Sequence, residues 1–229
     1  MSEQTPYGSE EDIKFEIIEF AENPEPRCPC ILLLDGSYSM KCNNAIGELN
    51  KGIKQFKKQL AGDEVASKRV EVSVIRFASD IEIMNDFETA DRFDPIELDA
   101  YGATSMGAAI ETAVQMLEDR KRTYKENGIS YYRPWIFMIT DGEPTDDVSR
   151  AIDLIEKGER KKQFAFFAVG IQNANMEALA EISQREPLYL NGLNFTGLFQ
   201  WLSNSMSSVS HSSPEAEILL ESPSGWAKL

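Results

Sequence analysis

At 229 residues with a formal net charge of -15, the chain can bury one sizeable core and repels phosphate backbones, which argues against general nucleic-acid binding. Its apolar share of 42% fits a globular protein in water. No apolar run approaches the roughly 20 residues of a membrane-spanning helix, so no membrane partner is expected.

Residues 1–27 read as a polar, acidic lead with one apolar patch from Ile13 to Phe20, ended by Asn23-Pro24-Glu25-Pro26. This lead has neither the basic start nor the apolar centre of a secretory signal. Cys28, Cys30 and Cys42 are an odd count, two of them two positions apart, which is no disulfide framework. A cytoplasmic location is therefore expected.

Residues 28–208 alternate between short apolar runs and stretches of helical spacing. Strands are predicted at Cys28–Leu34, Val70–Phe77, Ile81–Met84, Pro134–Thr140 and Phe164–Val169. Helices are predicted where apolar residues recur every three or four positions: Ile46 to Leu60, Met106 to Leu117, Val148 to Ile155 and Leu198 to Met206. Phe164–Val169 does not alternate, as expected of a parallel strand buried on both faces. Only Val70–Phe77 and Ile81–Met84 lie close enough for a hairpin. The pattern predicts a doubly wound α/β domain, mostly parallel with one antiparallel edge strand and helices on both faces. Residues 209–229 read as a Ser-rich tail, in which Ile218-Leu219-Leu220 and Trp226 could dock on the domain, engage a partner or stay disordered.

Three junctions carry oxygen chemistry. Asp35-Gly36-Ser37-Tyr38-Ser39 ends the first strand, Gly102-Ala103-Thr104-Ser105 precedes a helix, and Thr140-Asp141-Gly142 ends a later strand. In an open parallel sheet such ends share one edge, where ligands collect. Asp35, Ser37, Ser39, Thr104 and Asp141 thus form a candidate set of hard oxygen donors, suited to Mg2+ and next to Mn2+. A partner's Asp or Glu would complete the coordination by displacing a water. Turn and cap roles without metal are the plainer alternative.

LLLDGSYSM, GATSMGAAI and FMITDGEPTD resemble the three motifs of a von Willebrand factor A domain with its metal-ion-dependent adhesion site. The resemblance covers roughly Cys28 to Ser208. PEPRCPCILLLD, NGISYYRPWIFMITDGEPTD and SGWA are further similar to the bacterial tellurite-resistance TerY-type proteins. It implies that Asp35, Ser37, Ser39, Thr104 and Asp141 are metal residues, in a small cytoplasmic protein that works with a protein kinase and a phosphatase of a stress system. Most relatives have Thr and Gly where this chain has Gly36 and Tyr38, so a phenol stands at the rim.

Other features read as structural. Cys28, Cys30, Cys42 and His211 make a zinc site only on paper. Arg120-Lys121-Arg122, with Lys125 and Arg133, reads as a solvated helix end or a patch for an acidic partner, and Trp135 and Trp201 read as core. No general base or activated nucleophile is evident, so an enzyme is not expected. A Mg2+-dependent phosphohydrolase and a scaffold with a vestigial metal site remain alternatives.

Overall fold

The computed structural model describes residues 19–216, 218–223 and 225–228; most of the acidic lead, including Ile13 to Ile18, lies outside the described residues. In chain order the elements are β1 (Cys28–Asp35), a 3-10 turn (Tyr38–Asn44), α1 (Ala45–Ala61), α2 (Ala66–Arg69), β2 (Val70–Phe77), β3 (Ile81–Thr89) and α3 (Met106–Glu126). They continue with β4 (Trp135–Thr140), α4 (Ser149–Arg160), β5 (Ala165–Gly170), α5 (Met176–Ser183), β6 (Leu188–Leu190), α6 (Phe195–Ser210) and β7 (Ala227–Lys228).

One sheet runs β3-β2-β1-β4-β5-β6-β7. The strands from β2 to β6 are parallel, while β3 pairs antiparallel with β2. This is the expected mostly parallel, doubly wound sheet. Alternation explains its two layers. Cys30, Leu32 and Leu34 of β1 pack with α1 and α6, and Ile31 and Leu33 face α3 and α4. Because the chain leaves β1 toward β2 on one side and later returns to β4 on the other, a crevice opens beyond the carboxyl ends of β1 and β4.

A second antiparallel edge comes from the tail. Ala227 and Lys228 of β7 pair with Leu190 and Tyr189 of β6. Trp226 is buried 5.4 Å from the Trp201 ring on α6, and the Trp201 indole N–H donates to the Glu221 carbonyl at 2.9 Å. Of the alternatives open for the tail, docking on the domain is the one observed for Trp226, which belongs to the core and anchors the strand that follows.

The basic cluster also needs correction. Arg120 and Lys121 are buried, not solvated. Glu71, inside β2 and fully buried, accepts from Arg27 Nε at 2.7 Å, from Arg120 Nε at 2.9 Å and Nη2 at 2.8 Å, and from the Tyr124 hydroxyl. Glu19 adds a carboxylate 3.5 Å from Arg120. Lys121 pairs with Glu118, and only Arg122 of the three is exposed. Trp135 and Trp201 are core residues, as expected.

Cys28 and Cys30 are buried and Cys42 exposed. Burial pushes both buried thiols up, that of Cys30 to about 12. His211 stands apart from them, bonded to Asp63 at 3.0 Å. A thiol reagent should accordingly modify the native protein at Cys42 alone, and all three cysteines after unfolding. Rapid native labelling of Cys28 or Cys30 would contradict this packing.

Candidate metal centre

The five candidate residues meet in the crevice beyond β1 and β4. Asp35 ends β1 fully buried, and its Oδ1 accepts from the Ser37 N–H at 2.7 Å. Ser37 and Ser39 hydroxyls lie 2.9 Å apart, and Ser39 Oγ donates to Asp141 Oδ1 at 2.6 Å. Ser39 sits in the 3-10 turn, so a tight turn and not strand alternation brings it onto the same side as Asp35. Thr104 enters from the next loop. A Cβ built on Gly142 would sit 3.1 Å from Thr104 Oγ1 and 3.7 Å from Asp35 Oδ2, so all three loops wall one small space that glycine leaves open.

Backbone bonds hold the loops in register. The Tyr101 N–H donates to the Gly36 carbonyl at 2.7 Å, and the Tyr38 N–H to that of Gly102 at 3.1 Å. Gly102 takes a φ of 73°, which only glycine adopts freely. The third loop clamps the second. Thr145 N–H donates to the Thr104 carbonyl at 2.9 Å, while Asp146 accepts from the Gly107 and Ala108 N–H groups at 3.0 and 2.9 Å, capping α3.

The electrostatics decide what fits. Asp35 and Asp141 are both buried, and neither has a basic partner among the described residues. Burial pushes the Asp35 carboxyl up to about 6, against the bonds from Ser37 and Thr140, and raises Asp141 against the bond from Ser39. Two desolvated carboxylates beside three hydroxyls, with no cation to offset them, are a donor set that a hard divalent ion would complete. No group of three His, Cys, Asp or Glu side chains offers an alternative metal site among the described residues.

A von Willebrand factor type A domain model matches residues 30–198, more than half of the chain. The chain belongs to this family. Solved structures share its fold at low identity. Proximal thread matrix protein 1 from the mussel byssus, in a form with a zinc-occupied MIDAS motif, is 18% identical with a TM-score of 0.58, over 80% of this chain and 48% of that one. The vWF domain of the pilus tip protein Mfa5 from Porphyromonas gingivalis is 8% identical with a TM-score of 0.62, over 85% and 99%. BatB from Bacteroides thetaiotaomicron is 17% identical with a TM-score of 0.56, over 81% and 100%. The chain thus spans about half the length of the mussel protein. No curated protein sequence matches it.

One residue of this vWA domain escaped the motif reading. Thr140, the last of β4, donates to Asp35 Oδ2 at 2.5 Å and accepts from the Gly142 N–H at 3.1 Å. Its place directly before Asp141 was the available signal. Thr140→Val should weaken divalent-ion binding by about tenfold with the fold retained, since it frees Asp35 to turn. Unchanged affinity by calorimetry would deny Thr140 an orienting role.

The raised Asp35 pKa gives the vWA domain a pH signature. Its value near 6, against about 3.9 in an unfolded chain, means that the metal-free folded state holds the proton more tightly. That stabilising contribution is complete below about pH 4 and is lost as pH rises through 6. Ion binding needs the carboxylate and strengthens over the same window. The rise in Tm on adding Mg2+ should therefore be larger at pH 7.5 than at pH 5; a larger rise at pH 5 would contradict it.

Proposed function

We propose that this vWA domain is a Mg2+-dependent module that recruits a partner protein, in a bacterial tellurite-resistance or stress-response system, without catalysing a reaction itself. The observation that carries the reading is a pair of buried carboxylates, Asp35 and Asp141, that have no basic partner among the described residues and converge with three hydroxyls. Asp35, Ser37, Ser39, Thr104 and Asp141 would hold Mg2+ or Mn2+. The ion, when bound, would supply an electrophilic position for an Asp or Glu of the partner. The zinc in the mussel protein's MIDAS motif supports a divalent ion in this place.

The chain's own residues shape what arrives. Tyr38 is 65% exposed beside the centre, with the Lys41 ammonium 5.0 Å from its ring centroid. A partner carboxylate reaching the ion would pass this aromatic and cationic rim, which favours an acidic segment with an apolar neighbour. The similarity of PEPRCPCILLLD and SGWA to TerY-type proteins supports a cytoplasmic role beside a protein kinase and a phosphatase. His211, the one histidine, is bonded to Asp63 and far along the chain from the motifs, which supports a non-catalytic role.

Calorimetry with Mg2+ and Mn2+ on wild type and Asp141→Ala tests the metal, and capture of the kinase and phosphatase with and without EDTA tests recruitment. Heat and capture in the wild type alone, both lost with EDTA, are expected. Hydrolysis of a phosphoester with Mg2+ that Asp35→Asn abolishes would replace this reading with a phosphohydrolase.

A further inference from the structure

The amino ends of β4 and β5, opposite the metal centre, open into a groove of about 990 Å3. Its floor is apolar, formed by Trp135, Phe167 and Val209, and one wall is the descending tail with Pro214, Ile218 and Leu220. The other walls reverse the sign of the protein. Among the described residues, Lys121, Lys125, Arg133, Lys161, Lys162 and Arg185 line the groove with the acidic Glu118 and Glu215, in a chain with 38 acidic and 23 basic residues.

Internal pairing neutralises part of this charge. Lys121 is held by Glu118, while Arg133 and Arg185 share the single carboxylate of Glu159, each at 2.7 Å. Lys125 and Lys161 are exposed at the carboxyl ends of α3 and α4, and neither makes an ion pair among the described residues. Holding several cations together on an acidic protein has no folding benefit, because like charges near one another repel. A ligand that brings negative charge would offset that repulsion.

We propose that this groove is a second docking site, for a segment of a partner protein in which Asp or Glu residues flank one or two large apolar side chains. The apolar groups would meet the tail's Ile218 and Leu219, which are exposed in the groove wall, and the carboxylates would meet Lys125 and Lys161. A nucleic acid fits less well. Trp135 is 5% exposed and so offers no stacking face, the Phe167 ring is covered by the Arg185 guanidinium 5.2 Å from its centroid, and a long phosphate chain would meet the net charge of -15 beyond the groove. The site is independent of the metal centre, since it lies at the other end of the same parallel strands. Two docking ends would make the domain a bridge between two proteins.

The test uses the full chain in EDTA and a short fluorescent peptide of glutamates around two central leucines, read by anisotropy. Controls are the same peptide with lysines for glutamates, and a single-stranded oligonucleotide. Wild type should bind the acidic peptide, less tightly as salt rises. A variant carrying Lys125→Glu and Lys161→Glu should bind it about tenfold more weakly, with unchanged circular dichroism and unchanged Mg2+ heat. The milder Lys→Gln pair should fall between. Equal affinity of variant and wild type would overturn the proposal, as would tighter binding of the oligonucleotide or of the lysine peptide. Failure of wild type to bind, which occupation by the chain's own acidic residues 1–18 would also produce, overturns it as well.

Discussion

Asp35→Asn should abolish Mg2+ binding while making the metal-free protein more stable at neutral pH. The two effects share one cause. Asp35 is buried without a basic partner among the described residues, and its ionised form is costly until an ion arrives. A pKa displaced from 3.8 to about 6 corresponds to a penalty on the order of 3 kcal/mol above pH 6, which the neutral amide avoids. Asparagine keeps an oxygen for the Ser37 N–H and a group able to meet Thr140, so the loop should keep its shape. Loss of a direct anionic ligand should weaken Mg2+ by more than about 100-fold, beyond what an orienting neighbour costs. Thermal unfolding in EDTA and calorimetry with Mg2+ read the two arms. A variant that is less stable in EDTA, or one that still binds Mg2+ as the wild type does, would contradict a partnerless carboxylate waiting for a cation.

Glu71→Ala should be the most damaging single change outside the apolar core, lowering stability by about 3–5 kcal/mol. Glu71 is the carboxylate that Arg27, Arg120 and Tyr124 share, at a place where water has no access. Alanine removes the carboxylate that both buried guanidiniums share, while Glu19 stays 3.5 Å from Arg120. The damage should come from burying two guanidiniums without their shared carboxylate and not from lost attraction. Replacing Arg27, Glu71 and Arg120 together with apolar residues of similar size should therefore recover most of the stability. Urea denaturation of the single and triple variants gives the comparison. A triple variant as unstable as Glu71→Ala would mean that the network stabilises the fold in its own right.

The five long strands were legible because β1, β4 and β5 are buried and so read as unbroken apolar runs, β2 keeps Val70, Val72, Val74, Ile75 and Phe77 around its polar residues, and β3 follows β2 after three residues. The three metal-site motifs were legible because each sits at such a strand end or helix start. What escaped was short or long-range. Leu188–Leu190 and Ala227–Lys228 carry too few residues for any period to show, and they exist as strands only because β5 and Trp226 hold them. Arg120 looked solvated because its partner, Glu71, is 49 positions away inside a strand. A charged residue in an apolar run gives notice of a buried pair, yet it does not say with whom. Thr140 was passed over for a related reason, since a hydroxyl ending a strand does not announce that it will hold a neighbouring carboxylate.

The docked tail has a practical corollary. A shortened version ending with α6 would leave the Trp201 indole uncovered and the outer backbone groups of Tyr189 and Leu190 unpaired. An oily spot beside an open strand edge invites another copy to complete it. Such a truncated protein should form dimers or larger assemblies at concentrations where the full chain stays monodisperse, so the final residues serve as a stopper against self-association.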